Sequence, residues 1–287
     1  MKPIFVLYEG SHDSAFLGRL LIAANVKPFG RTLGKYEPAV LRNFLIKRHQ
    51  ERKVEEGRFR SSGSNQGTFV QESLPILSAA YELTAPPRLL LFHRCIGDNH
   101  EAVRGFLADL VALAQPGAPD VGLPSFGVLF VRDANDLGVD AKVAELQREF
   151  AEVLNPVLPG FVRLSANAPP DIIRDGDFSA GCCIFTGPGK TTGTLEEIIW
   201  PLLESQIPER LKDAREYVEA HGLAGTEVAR GDKSSIKRVK AALTIAGQMD
   251  APGCSLAVAL REMPSFDDGS LSSDSICQML TQMILAM

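Results

Sequence analysis

FGVLFVRDAND, residues 126–136, decides how the rest of the chain is read. Six mostly apolar residues, Phe126 to Val131, run straight into Arg132, Asp133, Ala134, Asn135 and Asp136, and a helical pattern then continues to about Leu154. An apolar run of this length without polar alternation marks a strand buried on both faces, as strands of parallel sheets are. The chain opens in the same manner. Pro3 to Tyr8 is a second apolar run, Glu9-Gly10 makes a tight turn, and Ser11 to Ala24 places Phe16, Leu17, Leu20 and Leu21 on one helical face. Asp13 falls in the first turn of that helix, where a carboxylate suits the unpaired backbone N–H groups and the positive end of the dipole.

Strand and helix patterns keep alternating along the chain. Pro38 to about Glu56 reads as an increasingly charged helix, and Gly57 to Gly67 (GRFRSSGSNQG) as a mobile loop without periodicity. Arg88 to Phe92 is another buried strand, followed by a helix over Glu101 to Leu113. A proline-rich connection from Asn155 to Pro170 leads to a short strand at Cys182 to Phe185, the turn Gly187-Pro188-Gly189, and a helix from about Thr194. From Pro208 to residue 287 the pattern is mostly helical. The expectation is one elaborated α/β domain over residues 1–287, with a mainly parallel sheet flanked by helices on both faces and a helical C-terminal part.

Composition narrows the class. Apolar residues make up 45% and charged residues 23% of the chain, with a formal net charge of −5, which excludes disordered and fibrous proteins. The opening MKPIFVLYEG carries a five-residue apolar run, shorter than a secretory core, and no later uncharged run approaches membrane-spanning length, so a cytoplasmic protein with no membrane partner is expected. Five cysteines, with Cys182-Cys183 inside an apolar run and no metal-ligand spacing, read as reduced structural thiols. Gly187-Pro-Gly-Lys-Thr191 is not a nucleotide-binding P-loop, because the glycine required six residues before Lys190 is Ile184. A plain turn, or a few backbone donors with Lys190 for a phosphate, accounts for it. His12, His49, His93, His100 and His221 show no metal spacing, and His12 alone lies near acidic residues of interest.

Those acidic residues are Glu9, Asp133 and Asp136, each at or just after the end of an apolar strand. In a parallel sheet such residues converge on one edge, although they are far apart in sequence. Converging carboxylates repel unless a proton or cation compensates, and magnesium prefers carboxylate oxygens, water and phosphate. Taken singly, Glu9 or Asp133 is as well explained by closing a strand or capping a helix. Taken together with Glu196 and Glu197, they point to a divalent-metal site suited to phosphodiester chemistry. Between Arg42 and Arg60 there are seven Lys or Arg against three Glu, a candidate contact for a nucleic-acid backbone or else a solvated helix face.

Val6-Leu7-Tyr8-Glu9-Gly10-Ser11-His12-Asp13, Val131-Arg132-Asp133-Ala134-Asn135-Asp136 and Gly193-Thr194-Leu195-Glu196-Glu197 recur in an order that resembles the Toprim domain of primases, topoisomerases and overcoming-lysogenization-defect nucleases. The likeness is nearest to the small stand-alone relatives of the last group and spans most of the chain. It implies a Toprim-like, Rossmannoid fold and a Mg- or Mn-dependent nuclease acting on DNA or RNA. It also implies Glu9, Asp13 and Asp133 at one metal position, Asp136 with Glu196 at a second, and Glu9 as ligand or general base. The family's Asp-x-Asp is broken here, because Asn135 stands where the second aspartate belongs and Asp136 comes one residue late. That departure keeps open a degenerate module that binds metal or a ligand without turnover. The segment from Lys237 to Gln248 is similar to the family's closing lysine-bearing helix, which implies Lys237, then Lys233, as the charge-stabilising residue. Some relatives act in phage defence beside a separate ATPase, and such a partner is the corresponding expectation.

Overall fold

The run Pro3 to Tyr8 lies at the centre of a sheet, with Ile4, Val6 and Tyr8 in one apolar core and Phe5 and Leu7 in another. Successive side chains of a strand point to opposite faces, so a strand covered on both sides has no place for polar alternation. The computed structural model describes residues 1–30, 32–61, 75–95, 99–115, 122–165, 172–221, 233–249, 252–263, 266 and 268–287, with the backbone alone at 33, 51–61, 76 and 233–236. Among the described residues the strands are β1 (Lys2–Tyr8), β2 (Lys27–Pro28), β3 (Ile76–Thr84), β4 (Pro87–Arg94), β5 (Phe126–Asp133), β6 (Ile173–Asp175) and β7 (Phe178–Phe185). They form one sheet in the order β2-β3-β4-β1-β5-β7-β6.

The centre of this sheet is parallel and its margins are antiparallel. β1 pairs in parallel with both β4 and β5, and β5 with β7. β3 turns back on β4 as a hairpin, β2 adds to β3, and β6 folds onto β7. β3 escaped the sequence reading because ILSAAYELT alternates and contains two alanines, and β2 and β6 are too short to leave a pattern.

One face is covered by α1 (Ser11–Ala23), α5 (Leu195–Glu204), α6 (Pro208–His221), α7 (Lys233–Gln248), α8 (Leu256–Glu262), α9 (Asp268–Ser273) and α10 (Ser275–Ala286). The other is covered by α2 (Ala39–Ser61), α3 (His100–Ala114) and α4 (Val139–Leu154). The result is a Rossmann-like α/β fold. The C-terminal helices share one apolar core with the sheet, from Ile4 to Ile284 and Met287. α2 continues to Ser61, so the first five residues of the stretch expected to be a loop are helical, and residues 62–67 lie outside the described residues. Helix wins there because Arg58, Phe59 and Arg60 are adequate helix formers that prolong a helix already under way. No helix of the described residues is long and apolar enough to cross a membrane.

The winding fixes where a site can form. From β1 the chain passes to α1 on one face, and from the neighbouring β5 it passes to α4 on the other. Adjacent parallel strands whose connections leave to opposite faces open a crevice at their carboxyl ends. Glu9 follows β1 and Asp133 ends β5, on either side of that crevice.

Candidate functional site

Gly10 begins α1 with extended backbone, and its N–H donates to Asp13 Oδ2 at 2.8 Å. A Cβ there would lie 2.5 Å from the His12 ring, so any other residue would push the imidazole away. The Glu-Gly pair therefore lets an imidazole lie over the turn that carries Glu9. On β5, Asp133 Oδ1 accepts the N–H of Leu195, the first residue of α5, at 2.9 Å. Both acids thus cap backbone donors, as the simpler sequence reading has it, and each spends one oxygen in doing so. Asp13 Oδ1 is left buried without a hydrogen bond.

The start of α5 is drawn to β5 by a second link. Asn135 and Gly193 exchange backbone hydrogen bonds of 2.7 and 3.1 Å. Asn135 has φ 50° and Gly193 φ 128°, both in left-handed backbone that asparagine and glycine tolerate best. The Asn135 amide donates to the Asp133 carbonyl at 3.4 Å, so the residue at the family's second acid position serves the turn. Thr194 and Glu197 then form a capping box at the α5 start, which leaves Glu196 on the side facing α1.

Glu196 is almost completely buried and lies 3.4 Å from His12 Nε2 and 3.2 Å from Lys240 Nζ. His12 Nε2 is also 3.4 Å from Asp13 Oδ1 and from Lys240 Nζ. Arg132, likewise buried, reaches Glu9 Oε1 with Nε at 2.9 Å and donates from Nη1 to the carbonyls of Leu7 and Val131. β1, α1, β5, α5 and α7 therefore bring together Glu9, Asp13, Asp133 and Glu196 with His12, Arg132 and Lys240.

Burial raises the Asp13 carboxyl to about 7, and the charges of Glu9 and Glu196 add to the rise. Burial raises Asp133 to about 8, with Asp13 and Glu196 contributing. At Glu196 burial works in the same direction, but His12, Lys240 and backbone hydrogen bonding outweigh it and hold the carboxyl below its ordinary value. Burial lowers His12 against the pull of Glu196, and Lys240 and Arg94 add to the lowering, which favours the neutral imidazole at pH 7. At pH 7 Asp133 is therefore mostly protonated and Asp13 about half so, while Arg132 faces Glu9 and Lys240 faces Glu196.

Other expected site residues lie elsewhere. Asp136 is exposed in the turn and is not among the charges that act on Asp133, because the chain has already turned away at the left-handed Asn135. Lys237 is exposed, and Lys240, one helical turn later, makes the contact. The side chain of Lys233 lies outside the described residues. Glu197 faces away from the cluster and pairs with Lys190 at 3.0 Å. In the basic stretch, Arg42 pairs with Glu37 at 3.0 Å, and Arg48 pairs with Asp109 and stands over the rings of Phe44 and Phe106. The side chains from 51 to 60 lie outside the described residues.

Asp13 Oδ1 and Glu196 Oε1 are buried without a well-formed hydrogen bond, each 3.4 Å from His12 Nε2, and Glu196 Oε1 also 3.2 Å from Lys240 Nζ. Among the described residues, no three His, Cys, Asp or Glu side chains are grouped so that they could hold a metal ion. In donor chemistry the four carboxyls are of the kind a hard cation takes, but they are not arranged around one.

No protein-family model matches the chain, and no curated protein does. Among solved structures, the chain is similar to a hypothetical protein from Pyrococcus horikoshii OT3, with a TM-score of 0.51 and 15% identity over 99% of this chain and 100% of the other. At that identity the likeness concerns the fold alone.

Proposed function

We propose that the chain is a divalent-metal-dependent phosphodiesterase of Toprim type that cleaves DNA or RNA. One observation carries the reading: Glu9, Asp13, Asp133 and Glu196 converge at the switch-point crevice closely enough for burial and their mutual repulsion to raise Asp13 to about 7 and Asp133 to about 8. Those four residues would hold Mg or Mn, and the ion would supply a polarised water and neutralise charge on a bound phosphate. Arg132 fixes Glu9. His12, kept neutral by burial, is placed to take a proton within the cluster, and Lys240 offers positive charge beside it. The reading also places the chain in the cytosol, where its five unpaired cysteines would stay reduced. A role in phage defence beside a partner ATPase, and nucleic-acid contact along Arg42 to Arg60, are the parts of this proposal that rest on the family resemblance and on charge.

The test is incubation of purified protein with Mg or Mn and single- and double-stranded DNA and RNA. Cleavage that Asp133→Asn abolishes at an unchanged melting temperature supports the proposal. Intact substrates under every condition, with Glu9→Gln changing nothing, sink it. A second reading, a metal-binding module without turnover, is favoured by one specific observation, the engagement of Asn135 in its turn while Asp136 stays exposed. Calorimetry with Mn separates the two: binding that Asp133→Ala removes, without any cleavage, supports the module.

A further inference from the structure

Beside the carboxylate cluster, between α5, α6 and α7, is a cavity of about 460 Å³, within the range of small-ligand pockets. The two sites share walls. Glu196 of α5 and Lys240 of α7 face the cluster, and their immediate neighbours Glu197 and Val239 line the cavity. The chain's single tryptophan, Trp200, lies one turn along α5 and lines it as well, with Val218 of α6 and Ala242 of α7. A partly buried indole in an apolar recess is a stacking platform for another planar ring.

The charges at the cavity select which ring. Its two carboxylates are already paired, Glu197 with Lys190 at 3.0 Å and Glu219 with Arg215 at 2.9 Å. Arg238 adds a further guanidinium to the lining. A cationic ligand would meet two lining guanidiniums, Arg215 and Arg238, while both lining carboxylates are already engaged. A neutral planar ring tied to an anionic backbone meets an aromatic surface and guanidinium groups. α2, with the basic stretch, covers the opposite face of the sheet, whereas this cavity shares α5 and α7 with the acidic cluster.

Resting on the phosphodiesterase reading, we propose that this cavity receives an unpaired nucleobase, stacked on Trp200, of a single-stranded nucleic acid whose phosphodiester lies at the carboxylate cluster. The ring and its backbone would bridge α5 and α7, the two helices that divide the sites. The proposal implies a preference for single strands or frayed ends, since a base inside a duplex has no free face to offer.

Trp200 is also the reporter, because no other tryptophan contributes to the emission. The full chain in EDTA is titrated with a thymidylate tetranucleotide, with an abasic tetranucleotide and with tetramethylammonium. Quenching by the thymidylate strand alone is the expected result. Binding followed by anisotropy of a labelled strand should weaken about tenfold in Trp200→Leu, the loss of one base stack, and much less in Trp200→Phe. Arg238→Glu should weaken it and flatten its salt dependence. Equal quenching by the abasic strand, or quenching by tetramethylammonium only, overturns the proposal. So does metal-dependent cleavage without any quenching, which leaves the phosphodiesterase standing. Quenching by the thymidylate strand with no cleavage in Mg or Mn upholds the base site and removes the phosphodiesterase.

Discussion

Asp13 and Asp133 are carboxyl groups whose ionisation the fold resists, and that resistance has a measurable sign. Their folded values, about 7 and about 8, lie above the ordinary 3.8, so the stability they lend is complete at low pH and lost as pH rises through those values. His93 acts in the other direction. It is buried, its Nδ1 lies 3.1 Å from the Leu91 carbonyl, and burial lowers it to about 4, so its contribution is present above pH 6.5 and lost as pH falls toward 4. Between pH 6.5 and 8 the carboxylates act alone. Thermal melts in EDTA should therefore fall across that window, each ionising group contributing at most about 1.4 kcal/mol per pH unit. Asp133→Asn, which keeps an oxygen for the Leu195 N–H, should flatten the fall, whereas His93→Phe should change only the acid side. A second outcome concerns α7. Lys240→Ala should reduce cleavage on the order of a hundredfold, a loss typical of one charge-stabilising donor, while Lys237→Ala leaves it near wild type. Sequence could not choose between these lysines. Both belong to a basic helix, and only the docking of α7 on α5 fixes which one turns inward. Arg132 was in view as part of the motif, but its reach back to Glu9 depends on β1 and β5 being neighbours. The four gathered acids were legible because each follows or opens an element recognisable from its pattern.

Elements meet at one joint that sets the cluster, the pairing of Asn135 with Gly193. A side chain at Gly193 would place its Cβ 2.3 Å from the Gly187 nitrogen and from Glu197 Oε2, in backbone that other residues rarely adopt. Gly193→Ala should cost about 2 kcal/mol or more, shift the start of α5, and lower metal affinity although no ligand is altered. Denaturant melts and Mn calorimetry check the two parts. At this scale β1, β4, β5, α1, α3, α4 and α5 were readable to within about two residues of the expected ends, because buried parallel strands and amphipathic helices have strong periods, while β7 begins at Phe178, four residues before the expected Cys182. The antiparallel margins were not. Nor was the length of α2, where a glycine and two arginines read as a break but continue the helix. On that helix Arg48→Ala should destabilise the fold, since it loses Asp109 and two aromatic rings at once, a loss to be read as a lower denaturation midpoint.

The whole molecule stands on cores that the sheet divides. The core on the side of α1 runs from Ile4 to Met287, so the C-terminal helices are part of it. Deleting residues 275–287 should expose the floor beneath Met283, Ile284 and Met287, lower the melting temperature sharply, and leave no separate transition for the helical part in calorimetry. Composition alone anticipated a large core but could not say that both ends of the chain contribute to the same one. The site is as non-local as that core. His12 and Lys240, 228 positions apart, stand side by side, and Arg132 reaches a carbonyl 125 positions earlier. Pairings of such separation form slowly, because loop closure is costly before any contact rewards it. Synthesis adds a schedule of its own. A nascent chain holds Glu9, His12 and Asp13 from the outset but lacks Arg132, Asp133, Glu196 and Lys240 until more than a hundred further residues have been made. The acidic edge is therefore completed only when α5 and α7, made late, dock against the first strand and helix.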